Sequence, residues 1–149
     1  MTFRTAGLNE KPKKPRKKFN YVGAPKIFAL ELACSHLWRA FCTPAKFGGL
    51  YVVGSALQRP DWRDVDVVCI LDDESFAKLF PDAADASDGC ARFEFDPRWL
   101  VMTVALSDWL SWQSGLPIDF KFQPMTMANL MHGGGRRNPI GLSDLGYAK

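Results

Sequence analysis

The sequence lacks a long uninterrupted run of apolar residues, and this absence bears first on membranes. The most apolar early stretch, residues 26–42, is interrupted by Glu31, His36 and Arg39, which are costly to place in a bilayer. No short basic segment is followed by an unbroken apolar run and a small-residue cleavage site, as a secretory signal requires. We therefore predict a protein that has no membrane span and stays in the cytoplasm.

Cysteine is also sparse, and the four cysteines form no Cys-x-x-Cys pair. Scattered cysteines without that spacing favour free thiols over a metal site or a redox motif. Three of them fall in stretches with helix or strand patterns, so we expect buried free thiols. The four positions are Cys34, Cys42, Cys69 and Cys90.

Several glycine-based signatures are missing as well. There is no Gly-x-x-x-x-Gly-Lys and no Gly-x-Gly-x-x-Gly, which disfavours the P-loop and Rossmann phosphate sites. There is no Gly-x-Ser-x-Gly, so His132 and the three glycines after it do not indicate a serine hydrolase. No internal repeat is visible.

What remains is an ordinary globular composition with an uneven charge. A chain of 149 residues, 47% hydrophobic and 23% charged, predicts one compact domain. The whole chain has a net charge of +3. Residues 1–20 carry +6, so the remaining residues carry −3. We predict a flexible basic arm over residues 1–20, a folded domain over 21–132 and a Gly- and Arg-containing tail over 133–149.

The arm has two readings, which the sequence leaves open. One is a contact with nucleic acid or another polyanion, in which basic side chains release counterions. The other is a solvated tail that only aids solubility. The basic residues available for such a contact are Lys11, Lys13, Lys14, Arg16, Lys17 and Lys18.

Hydropathy patterns predict alternating helices and strands. The predicted helices cover residues 24–42, 73–80, 97–114 and 124–131, and the predicted strands cover 50–53, 64–71 and 118–123. Asp96 and Pro97 mark the start of the third helix and Gly115 its end, although residues 100–106 are apolar nearly all round and are also compatible with a strand. The fold class is therefore α/β, in the α+β sense, with a small mixed sheet of three to five strands and helices packed on one face.

Two short motifs, eight residues apart, carry the predicted chemistry. Gly54 and Ser55 follow an apolar strand, where a glycine allows close approach of a phosphate and a hydroxyl donates to its oxygens. Asp64 and Asp66 lie at alternate positions of the next strand, so their side chains share a face about 6.5 to 7 Å apart at the backbone. Carboxylate pairs of this kind suit Mg²⁺ or Mn²⁺.

A third carboxylate completes a two-metal site in enzymes of phosphoryl or nucleotidyl transfer. Asp119 is the best candidate, because it is a polar position between Ile118 and Phe120 in the third strand. Lys121 follows on the same face.

Together these residues resemble the nucleotidyltransferase superfamily whose palm is like that of DNA polymerase beta. The resemblance covers about residues 24–125 and implies that fold. It implies that Asp64 and Asp66 hold the metal ions, that Asp119 joins one ion and orients or deprotonates an acceptor hydroxyl, and that Gly54 and Ser55 hold phosphates. The Arg-Gly often found after Gly-Ser in the minimal members is absent here, so Arg59, Arg63 or Lys121 are the expected replacements.

The resemblance implies an ATP- or other NTP-dependent transfer of a nucleoside monophosphate to a hydroxyl, with release of pyrophosphate. A protein side chain, a small molecule or an RNA end are the open choices for the acceptor. The alternative is a catalytically inactive module of the same fold, which binds nucleic acid or a partner protein through the arm and through Arg136 and Arg137.

Overall fold

The computed structural model describes residues 20–42, 48–83 and 96–142. The basic arm up to residue 19, most of the acidic loop after Pro81, Cys90 and residues 143–149 lie outside these ranges, so the predictions made for them stay predictions.

The described residues form four helices and one four-stranded sheet. The helices are α1 (Lys26–Phe41), α2 (Asp73–Leu79), α3 (Pro97–Ser114) and α4 (Met125–His132), and the strands are β1 (Gly48–Val53), β2 (Val65–Leu71), β3 (Ile118–Pro124) and β4 (Asn138–Pro139). A single 3₁₀ turn, Gly54–Leu57, follows β1. None of these helices combines the length and apolar character needed to cross a membrane.

Local signals explain the ends of α3. The Asp96 carboxylate accepts a hydrogen bond from the backbone N–H of Trp99 at 2.9 Å, and Pro97 occupies the first helical position. Gly115 ends the helix in the left-handed conformation, with φ of 72°. The predicted boundaries of this helix are confirmed.

The sheet has the order β3-β2-β1-β4 and mixes strand directions. β1 is antiparallel to β2 and to β4, whereas β2 and β3 run parallel. The parallel pair needs a crossover, which α2 and α3 supply between β2 and β3 in the chain.

The two faces of the sheet differ in what covers them. One face packs into the main core with α1, α2 and α3, through side chains such as Leu37, Val67, Phe76 and Phe120. On the other face, Val68 and Ile70 form a smaller cluster with Ala128 of α4. The expectation of helices on one face therefore holds for α1 to α3 and is wrong for α4. Its length of eight residues limits how much of that face it covers.

Helix α3 also covers the outer edge of β3. Ser107 and Ser111 accept hydrogen bonds from the backbone N–H groups of Phe120 and Ile118, at 2.9 and 3.0 Å. The Trp99 indole donates to the Phe122 carbonyl at 3.0 Å. Polar groups at this edge are thus paired by side chains of the helix.

Residues 133–142 belong to the folded domain. Asn138 and Pro139 pair with β1, and Ile140 is buried in the main core. The Glu31 carboxylate on α1 accepts backbone hydrogen bonds from Gly141 and Leu142, at 2.9 and 2.8 Å. A tail was expected from residue 133, but Asn138 and Pro139 instead add a short strand to the sheet.

The cysteines inside the described ranges are free and buried. Burial raises the pKa of the Cys34 thiol to about 12, so it stays protonated at neutral pH. The expectation of buried free thiols is confirmed for Cys34, Cys42 and Cys69.

Candidate active site

Two of the three predicted acidic residues lie beside each other at one end of the sheet. Asp66 on β2 and Asp119 on β3 are register partners, and Asp66 is also opposite Val53, the last residue of β1. These side chains lie on the face that carries the small cluster around Val68. The parallel register places the backbones of the two aspartates about 4.8 Å apart.

A cleft of about 390 Å³ opens over this face. Its volume is within the range of small-ligand sites, about 300 to 1,000 Å³. Its lining combines carboxylates, cations and apolar side chains: Val53, Gly54, Leu57, Gln58, Asp66, Val68, Asp119, Lys121, Gln123, Gly135, Arg136 and Arg137.

Gly54 is required where the chain turns away from β1. Its φ of +77° is strained for residues with a side chain, and a Cβ at this position would overlap the Asp66 carboxylate oxygen Oδ2. The glycine therefore lets the backbone turn lie directly against the carboxylate of Asp66.

The electrostatics of Asp66 reflect this crowding. Burial raises the pKa of the Asp66 carboxyl above its ordinary value, and the negative charges of Asp119 and Asp64 raise it further, whereas Lys121 lowers it. The charges of Asp119 and Asp64 thus oppose the ionised form of Asp66, and a bound cation would relieve that repulsion.

Asp64 precedes the first residue of β2 and is exposed. It lines a second, wider groove of about 640 Å³, which runs along α3 and also reaches Asp119 and Lys121. Leu100 and Val104 give this groove an apolar part, at 49% and 52% exposure. Asp119 and Lys121 lie where the cleft and the groove adjoin.

The structure does not bring every predicted site residue to the cleft. Ser55 lies inside the 3₁₀ turn, where its carbonyl accepts from Gln58 and Arg59, and it is not among the cleft-lining residues. Arg59 is exposed and pairs with Asp61 at 3.5 Å, and Arg63 is exposed. Neither arginine lines the cleft or the groove.

Two other arginines line the cleft instead. Arg136 donates to the Leu57 carbonyl at 3.2 Å, and Arg137 donates to Asn129 Oδ1 and to the Ala128 carbonyl, both at 3.0 Å. The sequence predicted that both arginines belong to a C-terminal tail outside the folded domain. The signal in the sequence was the pair of adjacent arginines. That the chain returns to the sheet directly after them is visible only in the structure.

The donor set fits a hard divalent cation by its chemistry. In the three ranges that the structure covers, no three acidic, histidine or cysteine side chains are already gathered as metal ligands. Asp66 and Asp119 nevertheless lie opposite each other on neighbouring strands. The charge of Asp64 is close enough to Asp66 to raise the pKa of Asp66. Oxygen donors of this kind select Mg²⁺ or Mn²⁺ over softer metals.

Comparison with known proteins adds no assignment. No protein-family model, no curated protein and no solved structure matches this chain.

Proposed function

We propose that the protein is a metal-dependent nucleotidyltransferase, which moves a nucleoside monophosphate from an NTP to a hydroxyl acceptor and releases pyrophosphate. A palm like that of DNA polymerase beta is the finer description of the fold and part of the same proposal. The observation that supports it best is the register of Asp66 with Asp119. Beside this pair, the chain turns at Gly54, where the backbone conformation and the Asp66 carboxylate leave no room for a side chain.

Asp64, Asp66 and Asp119 are the residues that would hold Mg²⁺ or Mn²⁺. When bound, such ions neutralise phosphate charge and make a hydroxyl easier to deprotonate. Burial raises the pKa of Asp66, and the negative charges of Asp119 and Asp64 raise it further. A bound cation would offset both effects, which supports this role.

The position of Asp119 suits a residue that handles the acceptor. It lines both the cleft and the groove along α3, so a nucleotide in the first and an acceptor in the second would meet beside its carboxylate. In the proposed step, the acceptor oxygen loses its proton to Asp119 and attacks the α-phosphorus. The bond from that phosphorus to the α,β-bridging oxygen breaks, and pyrophosphate leaves with the electron pair.

The remaining residues align the reactants. Gly54 allows the backbone to approach a phosphate, and Val53, Leu57 and Val68 give the cleft apolar walls. Alignment and charge neutralisation are the main sources of rate in this class of reaction.

The first test is metal-dependent nucleotide binding. Thermal unfolding is measured with each of the four NTPs, with and without Mg²⁺, for the wild type and for Asp64→Asn with Asp66→Asn. We expect at least one NTP with Mg²⁺ to raise the melting temperature of the wild type and to leave that of the double variant unchanged. Glu74→Gln with Asp82→Asn is the charge-matched control, since both residues are exposed and outside the site.

The second test identifies transfer itself. The protein is incubated with α-labelled NTP, Mg²⁺ and a cell extract, and products are separated into protein, RNA and small-molecule fractions. Label that appears in one fraction with the wild type and not with the double variant supports the reaction and gives the acceptor. Metal-dependent binding without any transfer would instead favour the inactive module, and an equal nucleotide response in both proteins would reject the site.

A further inference from the structure

The C-terminal part of the domain places two guanidinium groups in the same cleft as the carboxylates. Arg136 and Arg137 line it together with Lys121, Asp66 and Asp119. The cleft therefore holds three cations as well as the two acids that we assign to the metal.

Both arginines are held by the fold. Arg136 is tied to the Leu57 carbonyl of the 3₁₀ turn, and Arg137 is tied to α4 through Asn129 and Ala128. The next two residues form β4, whose pairing with β1 fixes the backbone that follows. Cations held in this way lose less conformational entropy when an anion binds.

The chemistry of these groups favours a phosphate ligand. A guanidinium presents five N–H donors in a planar fork that matches two phosphate oxygens at once. The two hydrogen bonds of Arg137 to α4 occupy two of its donors. The size of the cleft and its acidic residues favour a nucleotide over a nucleic-acid strand, whose many phosphates would need a longer cationic surface.

We propose that Lys121, Arg136 and Arg137 form an anion site for the β- and γ-phosphates of the nucleotide. This inference rests on the proposed nucleotidyl transfer. It assigns to Arg136 and Arg137, beside Lys121, the phosphate contacts that the resemblance implied for Arg59, Arg63 or Lys121. In this arrangement the α-phosphate lies beside Asp66 and Asp119, and the pyrophosphate portion extends toward the arginines.

The test compares a triphosphate with a monophosphate. Fluorescently labelled ATP and AMP are titrated, with Mg²⁺, into the wild type, Arg136→Ala, Arg137→Ala and the double variant. Each single change is expected to weaken ATP binding by about tenfold, in line with the loss of a hydrogen bond to a charged group, and to change AMP binding by less than about twofold. Arg59→Ala with Arg63→Ala is the matched control and is expected to leave both affinities unchanged.

Lysine variants keep the test informative if an alanine variant does not fold. Arg136→Lys and Arg137→Lys keep the charge but lose the planar fork, so an intermediate weakening of ATP binding is expected with AMP unaffected. Circular dichroism shows which variants are folded.

The outcomes separate this inference from the proposed function. Equal losses for ATP and AMP, or a loss of ATP binding in the Arg59 and Arg63 variant alone, would overturn the anion site. Selective loss in the arginine variants, with full ATP binding retained when Asp64 and Asp66 become Asn, would support the anion site and reject the metal-dependent transfer. A wild type that binds neither nucleotide would overturn both.

Discussion

Asp66 and Asp119 face each other across the parallel pair of β2 and β3, as direct register partners. Hydrogen bonds between the strands, rather than a loop, therefore fix the backbone positions of the two aspartates. The two acids are half-buried at this point, and the pKa of Asp66 is raised first by burial and then by the charge of Asp119. Placement of this kind is common in sites that bind cations or transfer protons.

Replacing Asp66 by Asn is expected to stabilise the metal-free protein at neutral pH. Folding raises the pKa of Asp66 above its ordinary value of 3.8. The contribution of Asp66 to the free energy of unfolding is therefore favourable below pH 3.8 and is lost as the pH rises through the raised pKa. The melting temperature of Asp66→Asn should exceed that of the wild type at pH 7, and the difference should shrink toward pH 3.5. Added Mg²⁺ should raise only the wild type. A lower melting temperature of the variant at pH 7 without metal would contradict this.

Lys121→Met tests the opposing charge. Lys121 lowers the pKa of Asp66, so its removal should move that pKa further upward. The measurement is a titration of the side-chain carboxyl resonances by carbon-13 NMR in the absence of divalent ions. Lys78→Met is the control, because Lys78 lies on α2 and pairs with Glu74 at 3.2 Å. An unchanged Asp66 titration in Lys121→Met would show that the lysine does not act on it.

Gly54→Ala separates backbone strain from damage to the site. Gly54 and Gly115 have similar positive φ angles, 77° and 72°, so alanine at either position should cost about 1 to 2 kcal/mol of unfolding free energy. Only at Gly54 does the added methyl overlap Asp66, since the nearest atom at Gly115 is Lys26 Cε at 3.7 Å. Denaturant unfolding should give comparable losses, whereas titration with Mg²⁺ and NTP should show weaker binding in Gly54→Ala alone. Equal binding by the two variants would count against a role for the turn.

Glu31→Ala should loosen the C-terminal strand. The carboxylate accepts two backbone hydrogen bonds, and loss of charge-assisted bonds of this kind costs about 1.5 to 3 kcal/mol each at most. Hydrogen exchange of the Gly141 and Ile140 amides should become faster, while amides of β2 change little. Glu74→Gln, on the exposed side of α2, is the control. Unaltered exchange at Ile140 would mean that its bond to the Leu50 carbonyl suffices to hold the strand.

Much of the fold follows from local sequence signals. Alternation at residues 118–123 and the capping residues around 97–114 predicted β3 and α3, because each signal acts within a few residues. Strand β4 carries too few residues for any periodicity, and its pairing depends on β1 and α1 far away in the chain. Burial along α3 also depends on packing, since Trp99 is buried whereas Trp112 on the same helix is 85% exposed.

For the candidate site too, local patterns predicted some features and long-range contacts determine the others. Alternation along the strands was enough to predict that Asp66 and Asp119 point to the side opposite the core. Their direct pairing depends on the sheet order, which spacing along the chain does not determine. Arg59 lies near Gly54 in sequence but does not line the cleft, whereas Arg136 reaches the cleft because β4 returns beside β1.

Helix α3 covers the outer edge of β3, and this limits how the domain can bind other polypeptide chains. A strand at the border of a sheet ordinarily offers a template on which a foreign peptide can add itself, the step that begins many aggregates. With Ser107, Ser111 and Trp99 already bonded to that border, any polypeptide that approaches beside Asp119 must be recognised through its side chains and not by extending the sheet.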